Sequence, residues 1–117
     1  MKRISETHFD QEVLCSPVPT IVHFFAPWCG LCRLVEPLLL QLQKQYSDHL
    51  RVVAINADSS LQLASRYRLR MLPTLLLVQN GQVWQRWETF QSRDQLYQQL
   101  QLAVQELLAT PSVTPLT

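Results

Sequence analysis

An apolar, β-branched run, Thr20-Ile-Val-His-Phe-Phe-Ala26, passes through Pro27 into Trp28-Cys29-Gly30-Leu31-Cys32. Apolar residues then recur at Leu31, Val35, Leu38, Leu39 and Leu42, which is helical spacing. The run before Pro27 reads as a buried strand. Pro27 and Gly30 mark the turn, so two thiols stand where a strand hands over to a helix N-terminus. Unpaired backbone N–H groups and the helix dipole favour a thiolate there, and the thiolate is the reactive form. Cys29 and Cys32, two residues apart, can form a reversible dithiol/disulfide switch. The same spacing can also supply two of the four ligands of a metal site.

The remaining pattern alternates strand and helix. Thr7, with Asp10 three residues on, predicts a helix start, with Phe9, Val13 and Leu14 as its apolar stripe. Ile21–Phe25 is a central strand, followed by a long helix to about Tyr46 that Pro37 should kink or interrupt. A strand over Leu50–Asn56 and a short helix over Leu61–Tyr67 come next. Thr74–Val78 and Val83–Trp87 flank Gln79-Asn80-Gly81, and Asn-Gly between apolar runs is the strongest short hairpin signal. Trp84 and Trp87 are three apart on one strand, hence on opposite faces, with at least one in the core. Ser92–Leu108 is an amphipathic helix. The order predicts an α/β fold, a central mixed β-sheet with helices on both faces, as one domain over residues 1–109. Residues 110–117, with Pro111 and Pro115 among Ser and Thr, read as a disordered tail.

A chain of 117 residues, 47% of them hydrophobic, can bury a full core. A formal net charge of +1 offers no general attraction to nucleic acid or acidic membranes, and no basic block is present. No apolar run approaches the ~20 residues of a membrane span. The start, Met-Lys-Arg-Ile-Ser-Glu-Thr-His, carries no apolar stretch of a leader, so a cytoplasmic address is expected. Three cysteines exclude a disulfide scaffold. Cys15, outside the pair, reads as a buried or half-buried small hydrophobe on the first helix, or else as a regulatory or dimer-forming thiol.

The motifs lie in a familiar order. Phe24-Phe-Ala-Pro-Trp-Cys-Gly-Leu-Cys-Arg33, Pro37, Asn56-Ala-Asp58, Leu72-Pro-Thr-Leu-Leu-Leu77 and Asn80-Gly81 resemble the thioredoxins in order and spacing, over roughly Thr7 to Leu108. The resemblance implies the thioredoxin fold and thiol–disulfide exchange through a redox-active Cys29–Cys32 pair, with no cofactor and no bound metal. It implies disulfide-containing client proteins, a thioredoxin reductase-type electron donor, and a monomer. Cys29 would attack a client disulfide and Cys32 would resolve the mixed disulfide. Pro73 would be a cis-proline facing the sulfurs, and Leu72 would pair its backbone with an extended client segment. Trp28, Gly30, Leu31 and Thr89 would complete the client contact.

Several residues depart from the family. Leu31 stands where most thioredoxins carry Pro, and the change should make the pair less reducing; thioredoxin and the bacterial oxidant are ~150 mV apart, roughly 7 kcal/mol for two electrons. His23 stands in place of a buried Asp, and Ala54 in place of its Lys partner. His23 could accept the proton of Cys32, or could merely fill space. Arg68, Met71 and Thr89 fall where Gly is usual and should redirect the client groove. Three other readings compete: an oxidant or isomerase, a redox-sensing binding module with little turnover, and a metal or iron–sulfur site shared by two chains.

Overall fold

Thr20–Phe25 can be buried on both faces because its side chains, apolar but for Thr20 and His23, alternate between two helical layers. In the computed structural model, which describes residues 1–109, this strand (β2) is the centre of a five-stranded sheet of order β1-β3-β2-β4-β5. The others are β1 (Lys2–Arg3), β3 (Arg51–Asn56), β4 (Thr74–Gln79) and β5 (Gln82–Trp87). β1 and β2 run parallel to β3, while β4 is antiparallel to β2 and to β5. The mixed sheet has helices on both faces, as the sequence pattern predicts. The reading of residues 110–117 as a tail lies outside the described residues.

The two layers follow strand parity. Ile21, Val52, Leu75 and Leu77 pack on one face against α1 (Gly30–Tyr46) and α3 (Arg93–Leu108), through Val35, Leu39, Leu42, Leu96, Leu100 and Val104. Val22, Phe24, Val53, Ile55 and Leu76 pack on the other against Phe9, Val13 and Leu63, the last from α2 (Leu61–Arg66). Trp87 belongs to the first core and Trp84 is exposed, so one tryptophan of the hairpin is core. The hairpin turns at Asn80 and Gly81, with φ of 54° and 77°, the left-handed pair that a two-residue turn requires. Ser92 caps α3 by accepting the Gln95 N–H at 3.1 Å. α1 is continuous through Pro37, which withdraws one backbone donor without ending the helix.

The N-terminal segment departs from the expected helix. It forms a 3₁₀ turn at Glu6–His8 and a π-helical turn at Asp10–Leu14, closed by the Cys15 N–H on the Asp10 carbonyl at 3.0 Å. Thr7 lies inside the first turn. Ser5 precedes it, with its hydroxyl 2.8 Å from His8 Nδ1 rather than on a backbone N–H. Pro17 stops the turn from lengthening. Cys15 ends this turn exposed, which corrects the buried reading. No helix among the described residues is long and apolar enough to cross a membrane.

Candidate active site

Cys29 is the N-cap of α1, with extended backbone (φ −86°, ψ 105°), and the fold needs a hydrogen-bond acceptor there to satisfy the first turn. Its sulfur fills that role: Sγ accepts the Cys32 N–H at 3.1 Å. A donor aimed at the sulfur stabilises negative charge on it. Cys29 and Cys32 are joined by a disulfide and are 6% and 3% exposed, so the bond lies just beneath the surface. Ala26, Phe25 and Leu72 pack around it.

On the outer side, the Leu72–Pro73 peptide is cis, and Pro73 is buried. Thr74 Oγ1 donates to the Met71 carbonyl at 2.7 Å, bracing the segment before it. Trp28 is 69% exposed, and its Nε1 donates to Asp58 Oδ2 at 2.8 Å. Asp58 is held in turn by its N–H on Asn56 Oδ1 at 2.9 Å. A groove of about 240 Å³ runs beside these residues, lined by Trp28, Ala57, Ala64, Arg70, Met71 and Leu72. Leu31 is exposed next to the sulfurs, and a Cβ on Gly30 would meet open space. Thr89, on the loop after β5, is exposed but lines neither this groove nor the cavity described next.

Arg68 has a φ of 51°, which explains why glycine suits that position: side chains resist the left-handed region. Arg86 holds the strained residue by donating through Nη2 to the Arg68 carbonyl at 3.0 Å.

On the inner side, a cavity of about 270 Å³ lies beneath Cys32. Arg3, His23, Ala54, Cys32, Arg33 and Glu36 line it, with Met1 and the Phe25–Pro27 segment. His23 pairs across the sheet with Ala54 of β3, and that small side chain leaves the space open. His23 is 2% exposed, and neither ring nitrogen has a protein hydrogen-bond partner among the described residues. Burial, aided by the positive charge of Arg3, pushes its pKa down to about 4. The imidazole is therefore neutral at physiological pH. Arg3 itself lies over the Phe25 ring at 4.9 Å, and Arg33 Nη2 donates to the Pro27 carbonyl at 2.6 Å. Among the described residues, no three His, Cys, Asp or Glu side chains are placed to hold a metal ion.

The structure thus brings Cys29, Cys32, Leu72 and Trp28 to one side of the disulfide, and Cys32 and His23 to the other. Sequence reasoning missed Asp58 as the partner of Trp28, and Arg3 and Glu36 in the cavity wall. Glu36 had a usable signal, since it follows Cys32 by one helical turn.

Comparison with known proteins agrees with this geometry. The Thioredoxin family model matches residues 1–102. The chain is 44% identical over 79 residues to Thioredoxin 1 of Synechococcus elongatus, covering 68% of this chain and 74% of that one. It is 44% identical over 80 residues to Thioredoxin 1 of a Nostoc species, covering 68% and 75%. Against chloroplastic Thioredoxin M5 of Oryza sativa it is 39% identical over 77 residues, covering 66% and 45%. A disulfide-joined cysteine pair at a helix start, in a chain this similar to thioredoxins, is that of a thiol–disulfide oxidoreductase, and the chain belongs to the thioredoxin family.

Proposed function

We propose that the chain works as a reductant of protein disulfides in the cytoplasm, as a monomer that carries electrons from a thioredoxin reductase-type donor to its clients. The observation that carries the reading is the Cys32 N–H on Cys29 Sγ at 3.1 Å, which marks Cys29 as the sulfur held ready as a thiolate. Cys29 attacks one sulfur of a client disulfide, forming a mixed disulfide and expelling the other client sulfur as a thiolate. Cys32 gives up its proton and attacks Cys29, forming the Cys29–Cys32 bond and expelling the second client thiolate. Two electrons pass to the client, and the donor restores the dithiol.

Trp28, Gly30, Leu31, Leu72, Pro73 and Thr89 form the client surface. The exposure of Trp28 and Leu31, the open space at Gly30 and the exposed loop at Thr89 support that assignment. Met71 and Arg70 in the groove wall favour clients with an apolar residue and an acidic neighbour beside the disulfide. His23 takes up the proton of Cys32. Its unpartnered nitrogens in the cavity wall supply an acceptor, since a neutral imidazole has one free lone pair. Leu31 leaves the helix start less stiff than Pro would, and the pair is less reducing than an ordinary thioredoxin.

The test is a redox titration of Cys29–Cys32 in graded dithiothreitol buffers, read by thiol alkylation, beside an insulin-reduction assay. Insulin reduction with a transition somewhat above about −270 mV, the thioredoxin value, is the expected result. A fully formed dithiol that leaves insulin intact would replace the reductase with a redox-sensing binding module.

A further inference from the structure

Cys32 must lose a proton before it can attack, and a cavity lies beneath it. His23 alone is a poor resting place. A cationic ring there would be buried among apolar atoms and would face Arg3. An imidazole need not hold the charge, however. It can take a proton on one nitrogen while releasing the proton of the other, ending as its own tautomer. Such a relay needs a second acceptor beyond the ring.

The cavity offers one carboxylate. Glu36 follows Cys32 by four residues on α1, so the two side chains share a helix face with Cβ atoms about 6 Å apart. Both line the cavity with His23. Glu36 is half-buried, and no hydrogen bond or ion pair with the described residues ties it down. The other charged side chains on the cavity wall are Arg3 from β1 and Arg33 from α1, Met1 brings the chain's amino group to the same wall, and β3 contributes only Ala54. About 270 Å³ holds several waters at about 30 Å³ each, and unpartnered polar nitrogens demand such partners.

We propose that Glu36 is the terminal acceptor of the Cys32 proton, reached through cavity water and the His23 ring. The inference rests on the proposed exchange mechanism and adds its second proton carrier. As the Cys32 S–H bond breaks, its electron pair stays on sulfur and the proton moves by way of water to one His23 nitrogen. The proton of the other nitrogen passes by way of water to the Glu36 carboxylate, which returns it to bulk solvent. The Cys32 thiolate then attacks Cys29 Sγ, and the client thiolate leaves. The carboxylate missing from β2 at position 23 is thus supplied from the opposite wall, on α1.

The experiment is single-turnover reaction of the reduced protein with 5,5′-dithiobis(2-nitrobenzoate). The first coloured thiolate reports attack by Cys29, and the second reports resolution by Cys32. Glu36→Gln, which keeps the volume, should leave the first phase unchanged and slow the second about tenfold at pH 7. That is less than the ~10²-fold or more of a direct general base, because water remains as a poorer acceptor. Glu36→Asp should recover most of the rate. The second phase of Glu36→Gln should also rise more steeply between pH 7 and 9 than in the unaltered protein. An unchanged second phase in Glu36→Gln overturns the proposal, and so does equal slowing of both phases, which would indicate a damaged helix start. Absence of a second phase in the unaltered protein would instead overturn the exchange mechanism itself.

Discussion

The two sides of the Cys29–Cys32 bond differ in how closely they keep to the family. The outer side is built from backbone devices: Sγ as the helix cap, the cis Leu72–Pro73 bond that the resemblance implies, and the braced Met71 carbonyl. The inner side has His23 and Ala54 where the resemblance implies a buried carboxylate and its lysine, and a cavity lies there. The contrast follows from what each chemical step asks. Holding a thiolate ready for attack depends on one N–H at one distance, and only this strand–turn–helix junction supplies it. Removing a proton from the second thiol asks only for a base that water can reach, and such a group can move between walls of the site.

The sharpest way to break the comparison is to delete each sulfur. Cys29→Ser should abolish insulin reduction, because no thiolate then stands at the helix cap. Cys32→Ser should still attack but should not release its client, so mixed disulfides should accumulate on non-reducing gels. If Cys32→Ser captures nothing while Cys29→Ser does, the nucleophile and resolving roles are reversed.

The inner side carries the next largest effect, on stability and not on turnover. The pKa of His23 is about 4 in the folded chain against 6.5 for the free group, so the unfolded chain binds the proton first as pH falls. The stabilising effect of keeping His23 neutral is full above pH 6.5 and declines as pH drops towards 4. The loss should reach about 3 kcal/mol by order of magnitude. Urea denaturation at pH 7, 5.5 and 4 should show it, and His23→Leu should flatten the decline. An equal decline in His23→Leu would assign the acid sensitivity to carboxylates instead.

These two sides were not equally legible in the sequence. The outer site was readable because its signals are local: an apolar run, Pro27, two cysteines at helix spacing and a Leu-Pro-Thr strand start. The hairpin was readable for the same reason, since Asn80-Gly81 names its own turn. The cavity was not, because it arises from His23 lying opposite Ala54, a register that only the assembled sheet fixes. β1 escaped because two residues carry no period, although Arg3 on it sets the charge around His23. Cys15 was misplaced because a π-helical turn rotates the residues after it away from α-helical positions.

Leu31 stands between the two cysteines in sequence and is exposed on the outer side, and its effect should be of middle size. Leu31→Pro should stiffen the first turn and favour the disulfide, shifting the potential downward by tens of millivolts; about 30 mV corresponds to about 1.4 kcal/mol. The same dithiothreitol titration reads it. A potential that does not move would leave the poise to the helix cap and the cavity.

The smallest effect concerns the outer rim. Arg68 adopts φ 51°, where a side chain costs about 1–2 kcal/mol and glycine almost nothing. Glycine returns about half of that through its freer unfolded chain. The carbonyl that Arg86 grips belongs to the backbone, so Arg68→Gly keeps that bond. The variant should therefore gain about 0.5 kcal/mol, a rise of a few degrees in melting temperature. Its insulin reduction should stay intact, because Arg68 is exposed and lines neither the groove nor the cavity. A loss of stability would mean that the Arg68 side chain packs usefully across the rim, and the outer side would then owe its shape to side chains as well as to backbone.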